Sequence, residues 1–285
     1  MKEKYIKNDF FTQAGLKTNE DTVYTDDNFG FVIYGATGLL KERITDKDSD
    51  AQWFAEALKN YLVKNLGNNE LSIQEVMRGA ITQINNDYNA LEGAENVKSR
   101  PSAGTCIYRL NGDKFEYFIL GDCSLLVENK NGEITHLKTE DIQRLDGINI
   151  DKMAQIAKEK NINVIDARPM INDDLVKTRL SQNTKEGYWI VSDSLDAVDH
   201  ALTGTLNANE ISQIVGLSDG FSQIFDTFGI FDKETLVKKL KTENLQDLYQ
   251  ILWNKQEEDK FCNKFPRFKT RDDASALNVI FDKEM

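Results

Sequence analysis

Two amphipathic helix patterns lie side by side between two runs of strand-like segments, and that pairing most constrains the fold. In the first, Trp53, Phe54, Ala57, Leu58, Tyr61, Leu62 and Leu66 recur at helical spacing over residues 50–66, with Ser49 or Asp50 at the N-cap position. In the second, over 72–89, Ser72-Ile73-Gln74-Glu75 is a capping box, and Ile73, Val76, Met77, Ala80, Ile81, Ile84 and Tyr88 make one apolar face. Two such stripes on a short connection fold back as an antiparallel hairpin and must bury themselves against something flat. That partner is a sheet.

Strand-like segments flank the pair. Before it come residues 5–14 and the apolar run Phe29-Gly30-Phe31-Val32-Ile33. After it, 104–110 and 115–120 flank Asn111-Gly112-Asp113-Lys114, a hairpin turn, and 125–128 and 134–137 meet across Asn129-Lys130-Asn131-Gly132. Further along, 152–160 has a helical pattern, 162–165 and 188–191 read as strands, and 195–202 reads as a short helix. Helical patterns over 232–241 and 245–258 precede a buried strand over 275–281. The expected content is roughly ten strands and two pairs of longer helices. Runs of one element followed by runs of the other give segregated layers, not a βαβ alternation. The expected class is therefore α+β, a sandwich of two antiparallel β-sheets flanked by helix pairs. Residues 138–186 are read as a helical crossover, with a flap beside a site as the alternative.

Composition narrows the partners. The 285 residues contain three prolines (Pro101, Pro169, Pro266) and no Pro/Ser-rich linker, so a single domain over 1–285 is expected. A net charge of −12, from 35 basic against 47 acidic residues, argues against nucleic acid and anionic membrane as partners. Met1-Lys2-Glu3-Lys4-Tyr5 has no apolar core of signal-peptide length, and no later run approaches spanning length. Cys106, Cys123 and Cys262 lack a CxxC spacing. Free thiols packed in a core, in a cytoplasmic protein, are the expectation.

The chemistry is carried by acids at strand ends. Asn19-Glu20-Asp21 precedes the apolar run that ends in Tyr34-Gly35-Ala36-Thr37-Gly38; Ser218-Asp219-Gly220 follows Ile214-Val215-Gly216-Leu217; Arg271-Asp272-Asp273 precedes the last strand. Acidic strand ends so widely spaced in sequence suggest one shared site for a hard cation. Mg²⁺ and Mn²⁺ take oxygen ligands and keep several waters, so a few carboxylates from separate strands suffice. An ion held this way activates a bound water as nucleophile without a nucleophilic side chain, which suits a chain with no Ser-His or Cys-His arrangement. Structural roles stand beside this reading. Glu20 and Asp21 would cap a turn, Asp122 and Asp219 would satisfy backbone amides, and Asp272 or Asp273 would be a solvated charge at a strand start.

Taken in order, Asn19-Glu20-Asp21, the strand ending in Gly35 and Gly38, Ser102-Ala103-Gly104-Thr105, Gly121-Asp122-Cys123-Ser124, Ser218-Asp219-Gly220 and Arg271-Asp272-Asp273 form a series. It resembles the metal-dependent protein phosphatases of type 2C in their compact bacterial form, over nearly the whole chain. The resemblance implies a four-layer α/β/β/α sandwich with Mn²⁺ or Mg²⁺ in a cleft at one end. It implies hydrolysis of phosphoserine or phosphothreonine in a phosphorylated protein substrate by a metal-activated water. A monomer is the expected state.

Carried over residue by residue, Asp219 and Asp272 match ligands of the first metal. Glu20 and Asp21 match the acidic pair near the second, Gly35 would offer its carbonyl, and Asp122 matches the acid of a third, weaker site. Lys17 neighbours Leu16, which stands where the family has its phosphate-gripping arginine; a lysine there is a point charge without the arginine's fork. Leu125 replaces an arginine that often follows Gly-Asp-Ser. The main departure is Tyr34, where the family has an aspartate that bridges both metals. A neutral phenol supplies neither the charge nor the spacing, so an incomplete two-metal centre and weak turnover are expected. The alternatives are a catalytically impaired module that binds a phosphoprotein or another partner, and a phosphatase of small molecules.

Overall fold

Strand β3 (Phe29–Ala36) sends alternate side chains into two different cores, and so sets the architecture. Phe31 and Ile33 face helices, while Val32 faces a second sheet, and Tyr34 follows Val32 to that inner side at the strand's end. The computed structural model describes residues 5–39 and 43–281; Met1-Lys2-Glu3-Lys4 and part of the charged loop after Gly38 lie outside the described residues.

The other strands among the described residues are β1 (Tyr5–Gln13), β2 (Thr22–Thr25), β4 (Ser102–Asn111), β5 (Lys114–Leu120), β6 (Ser124–Asn129), β7 (Ile134–Lys138), β8 (Leu202–Asn207), β9 (Ile211–Leu217) and β10 (Ala274–Phe281). One five-stranded sheet has the order β1-β10-β9-β6-β7 and the other β2-β3-β4-β5-β8, with antiparallel pairing throughout. Cys106, Tyr108 and Val32 from one sheet meet Leu125, Ile214, Leu277 and Val279 from the other in the inter-sheet core. This is the expected α+β sandwich.

Helices α1 (Asp50–Asn65) and α2 (Ile73–Asn89) cover one outer face. Phe54, Leu58 and Leu62 of α1 and Met77 and Ile81 of α2 pack on Phe31, Ile33, Ile107 and Phe118. Ser49 caps α1 by accepting from the Gln52 amide, and Ser72 and Glu75 form the capping box of α2. Asp50 instead accepts from the Thr45 amide at 3.0 Å and the Tyr88 hydroxyl at 2.8 Å. Buried Arg109 of β4 pairs with Glu116 at 2.8 Å and donates to the carbonyls of Leu66, Asn68 and Leu71, which ties the sheet to the α1–α2 connection.

Between β7 and β8 run α3 (Asp141–Lys160), α4 (Val164–Ala167) and α5 (Asn172–Leu180). They build a small core of their own from Met153, Ala157, Ala167, Ile171 and Leu175, together with Cys262. The helical crossover expected here is therefore a helical cap beside the sandwich end, and it contributes to the cleft described below. The strand reading of 162–165 fails, because Val164 and Ala167 point into that cap core as a helical turn. At 188–191 only isolated bridges form, Gln182 to Tyr188 and Ala103 to Val191. The helix read over 195–202 shortens to a 3₁₀ turn at Asp196–His200, and Leu202 begins β8, an edge strand. The opposite face carries the short α6 (Asp219–Ser222), α7 (Lys233–Lys239) and α8 (Leu245–Glu258), with Leu236, Leu248 and Leu252 packed on Leu126, Val215 and Ala276.

Candidate active site in an acidic cleft

The end of β3, the β5–β6 turn, the end of β9 and the start of β10 come together at one end of the sandwich. Register explains this: Tyr34 pairs with Gly104 at the start of β4, and Leu217 lies between Ser124 and Ala276. Asp122, Asp219 and Asp272 thereby converge on one cleft. Its larger lobe holds about 510 Å³ and its smaller lobe about 130 Å³; both are lined by Asp122, Asp146, Asp219, Phe268, Lys269 and Asp272. Tyr34, Thr37, Arg179 and Tyr188 line the smaller lobe, and His136, Lys138 and Asp226 the larger.

Glu20 and Asp21 sit on the wall behind. The Glu20 amide donates to Asp273 Oδ2 at 2.7 Å, and its carboxylate accepts from the Thr37 hydroxyl. Asp21 is buried with both carboxylate oxygens unpartnered. Gly35 fits because a Cβ there would lie 2.3 Å from the Glu20 carbonyl oxygen, so only glycine lets β3 pass this wall. Asp122 makes the same demand on β4, since a Cβ on Gly104 would lie 2.3 Å from Asp122 Oδ1, itself buried without a partner.

Crowded acids in a buried cleft resist ionisation. Burial, then the Asp146 charge, raises Asp122 to about 7, and burial raises Asp146 to about 6. Asp219 is pushed well above the usual carboxylate range by burial, then by Asp122, Asp226 and Asp272. Asp21 is raised by burial, then by Asp273 and Asp272. Tyr34 stays a neutral phenol: burial pushes it well above its ordinary value, and the charges of Asp272, Asp122, Asp219 and Asp21 add to this.

Asp272 is already engaged. Lys269 Nζ lies 2.8 Å from its Oδ1 and 3.2 Å from the Thr37 hydroxyl. The Tyr34 hydroxyl faces Oδ2 at 3.5 Å, long for a full hydrogen bond but close enough to lay the ring across the cleft. Burial presses the Lys269 ammonium downward, but the Asp272 charge and hydrogen bond outweigh this and raise it above its ordinary value.

A two-metal centre can be tested against these side chains. The unpartnered oxygens of Asp21 and Asp122 suit a cation. The rest do not. Among the described residues no group of three or more His, Cys, Asp and Glu side chains is arranged to hold a metal ion. Lys269 and Tyr34 occupy the space facing Asp272, and Thr37 holds Glu20. The side chains as they stand do not fit a binuclear centre.

Lys17 is exposed on the β1–β2 connection and lines neither lobe of the cleft. Sequence reasoning missed Lys269, Asp146, Asp226, Arg179 and Thr37. Of these only Lys269 carried a local signal, three residues before Asp272.

No protein-family model matches the sequence, and no curated protein matches it. Solved structures do. The Mycobacterium tuberculosis serine/threonine phosphatase PstP/Ppp superposes with a TM-score of 0.57 at 11% identity, covering 97% of this chain and 98% of that one. The catalytic domain of PstP in complex with two manganese ions gives 0.54 at 14% identity, with 97% and 98% covered. Stp1 from Staphylococcus aureus gives 0.54 at 11%, with 97% and 95% covered. Identities this low speak to fold, and the fold they give is that of the PPM, or type 2C, serine/threonine phosphatases, shared along nearly the whole of this chain.

Proposed function

We propose that this chain is a type 2C phosphatase-like protein that acts on phosphoserine or phosphothreonine in a protein substrate, with weak Mn²⁺- or Mg²⁺-dependent turnover in the sequence as it stands. The convergence of Asp122, Asp219 and Asp272 on one cleft, in a fold shared with serine/threonine phosphatases, carries the reading. Asp219, Asp272, Glu20, Asp21, the Gly35 carbonyl and Asp122 are the metal-directed groups in this reading, and Lys17 the phosphate-directed one. The weakness is assigned to Tyr34, whose phenol stands beside Asp272. The protein acts as a single-domain monomer in the cytoplasm. No helix among the described residues is long and apolar enough to cross a membrane, and all three cysteines are free and buried.

One observation favours a second reading, a phosphoprotein- or partner-binding module. Asp272 Oδ1 already accepts from Lys269 and from the Asp273 amide, so a protein cation stands on this carboxylate. Hydrolysis of a generic aryl phosphate with and without Mn²⁺, compared with Asp219→Ala, separates the two. The phosphatase reading expects slow Mn²⁺-dependent turnover that Asp219→Ala abolishes. Turnover indistinguishable between the two proteins leaves the binding module.

A further inference from the structure

Lys269 is presented by a braced loop. Arg267, two residues earlier, donates to Asp259 Oδ2 at 2.9 Å, to the Phe265 carbonyl at 2.8 Å and to the Thr270 carbonyl at 3.2 Å. The Cys262 thiol lies 3.7 Å from the Lys269 carbonyl oxygen. The side chain therefore enters the cleft from a fixed backbone, and is no surface lysine that happens to swing inward.

Once inside, its ammonium joins the two acidic walls. Nζ donates to Asp272 on one wall and to the Thr37 hydroxyl, and that hydroxyl donates to Glu20 on the other. Asp272–Lys269–Thr37–Glu20 is thus a continuous polar chain across the cleft. Charge supplies the reason. The charges of Asp21, Asp122, Asp146, Asp219 and Asp273 bear on Asp272, while Arg179 donates to the carbonyls of Ala36 and Thr37 and Arg267 pairs with Asp259. A positive charge between the walls relieves their mutual repulsion.

We infer that Lys269 is a tethered cation that competes with a divalent metal ion for Asp272, so that the cleft is closed by an ammonium until that side chain is displaced. The inference rests on the phosphatase reading only for the identity of the competing ion. Its consequence is a handicap on metal binding at this wall that adds to the one Tyr34 imposes and remains after that residue is replaced.

The test is calorimetric titration of Mn²⁺ into metal-stripped parent protein, Lys269→Met and Lys269→Arg. Lys269→Met frees Asp272 and should tighten Mn²⁺ binding at least about tenfold, the lower scale of close charge-pair couplings. Lys269→Arg keeps the charge and should bind as weakly as the parent. If Lys269→Met does not fold, Lys269→Gln, a neutral residue that can still donate to Asp272, gives the same readout. Equal Mn²⁺ affinity in the parent and the neutral variant overturns the inference. Tighter binding with no gain in aryl phosphate hydrolysis keeps Lys269 as the competitor and removes the phosphatase reading instead.

Discussion

The Asp273 carboxylate and the Glu20 amide meet at 2.7 Å across 253 residues of chain. The other carboxylate oxygen takes the Gly15 amide at 2.8 Å, so one side chain beside β10 fixes the whole loop that carries Asn19-Glu20-Asp21. Asp273→Ala leaves two buried amides without acceptors and should destabilise the protein by about 3 kcal/mol or more in urea unfolding. Asp273→Asn keeps one acceptor oxygen and should lose roughly half as much. An alanine variant as stable as the parent would show that the loop is held by other contacts.

Tyr34→Asp removes the ring from beside Asp272 and places a carboxylate there. Mn²⁺ stoichiometry should rise, and turnover on an aryl phosphate should increase on the order of 10²-fold, the scale of restoring one charge-stabilising group. The metal-free variant should melt lower than the parent, because it adds an acid to an already crowded cleft. Parent and variant with the same Mn²⁺-dependent rate would clear the tyrosine of any obstructing role.

The buried acids make stability depend on pH in a defined direction. Asp122 and Asp146 are raised from 3.8 to about 7 and about 6, so between those values and 3.8 the folded state holds more protons than the unfolded chain. Stability therefore falls as pH rises through that window. The melting temperature of metal-free protein should increase on going from about pH 8 to about pH 5.5, and Asp122→Asn should flatten the slope. A melting temperature that rises with pH over this range contradicts the assignment.

Ile81 is fully buried between α2 and the sheet. Ile81→Asp puts an unpaired charge into that layer and should cost about 4 kcal/mol or more, or prevent folding. Thermal melting beside the parent measures this directly, and an unchanged melting temperature would mean that α2 presents another face.

What could be read from sequence was what short-range signals encode. The α1 and α2 stripes, the Ser72–Glu75 capping box and the β4–β5 turn at Gly112, where φ is +63°, need only neighbours in the chain. Acids at strand ends were legible for the same reason. β8 was not, because Leu202-Thr203-Gly204-Thr205-Leu206-Asn207 is a half-exposed edge with a glycine and little apolar alternation. Segment 162–165 misled because a short β-branched run suits a helical turn equally well when a neighbouring cap needs it. Asp146 and Asp226 lie in the α3 helix and in a loop and have no motif; only packing aims them at Asp219. The meaning of Lys269 depends on Thr37 and Glu20, more than two hundred residues earlier in the chain.

The order β1-β10-β9-β6-β7 has a consequence for how the molecule is made. Within its sheet β1 pairs only with β10, so during synthesis from the N-terminus the first strand waits for one of the last segments to emerge. Until then Phe10 and Phe11 lack their backbone partners Leu277 and Ala276, and the Gly15 and Glu20 amides lack Asp273. Until β10 emerges a ribosome-bound chain thus carries an unpaired strand edge, the kind of surface that chaperones hold and aggregates recruit. The same wiring keeps the acidic cleft from assembling early, since Asp272 and Lys269 arrive on the segment that finally closes the sheet.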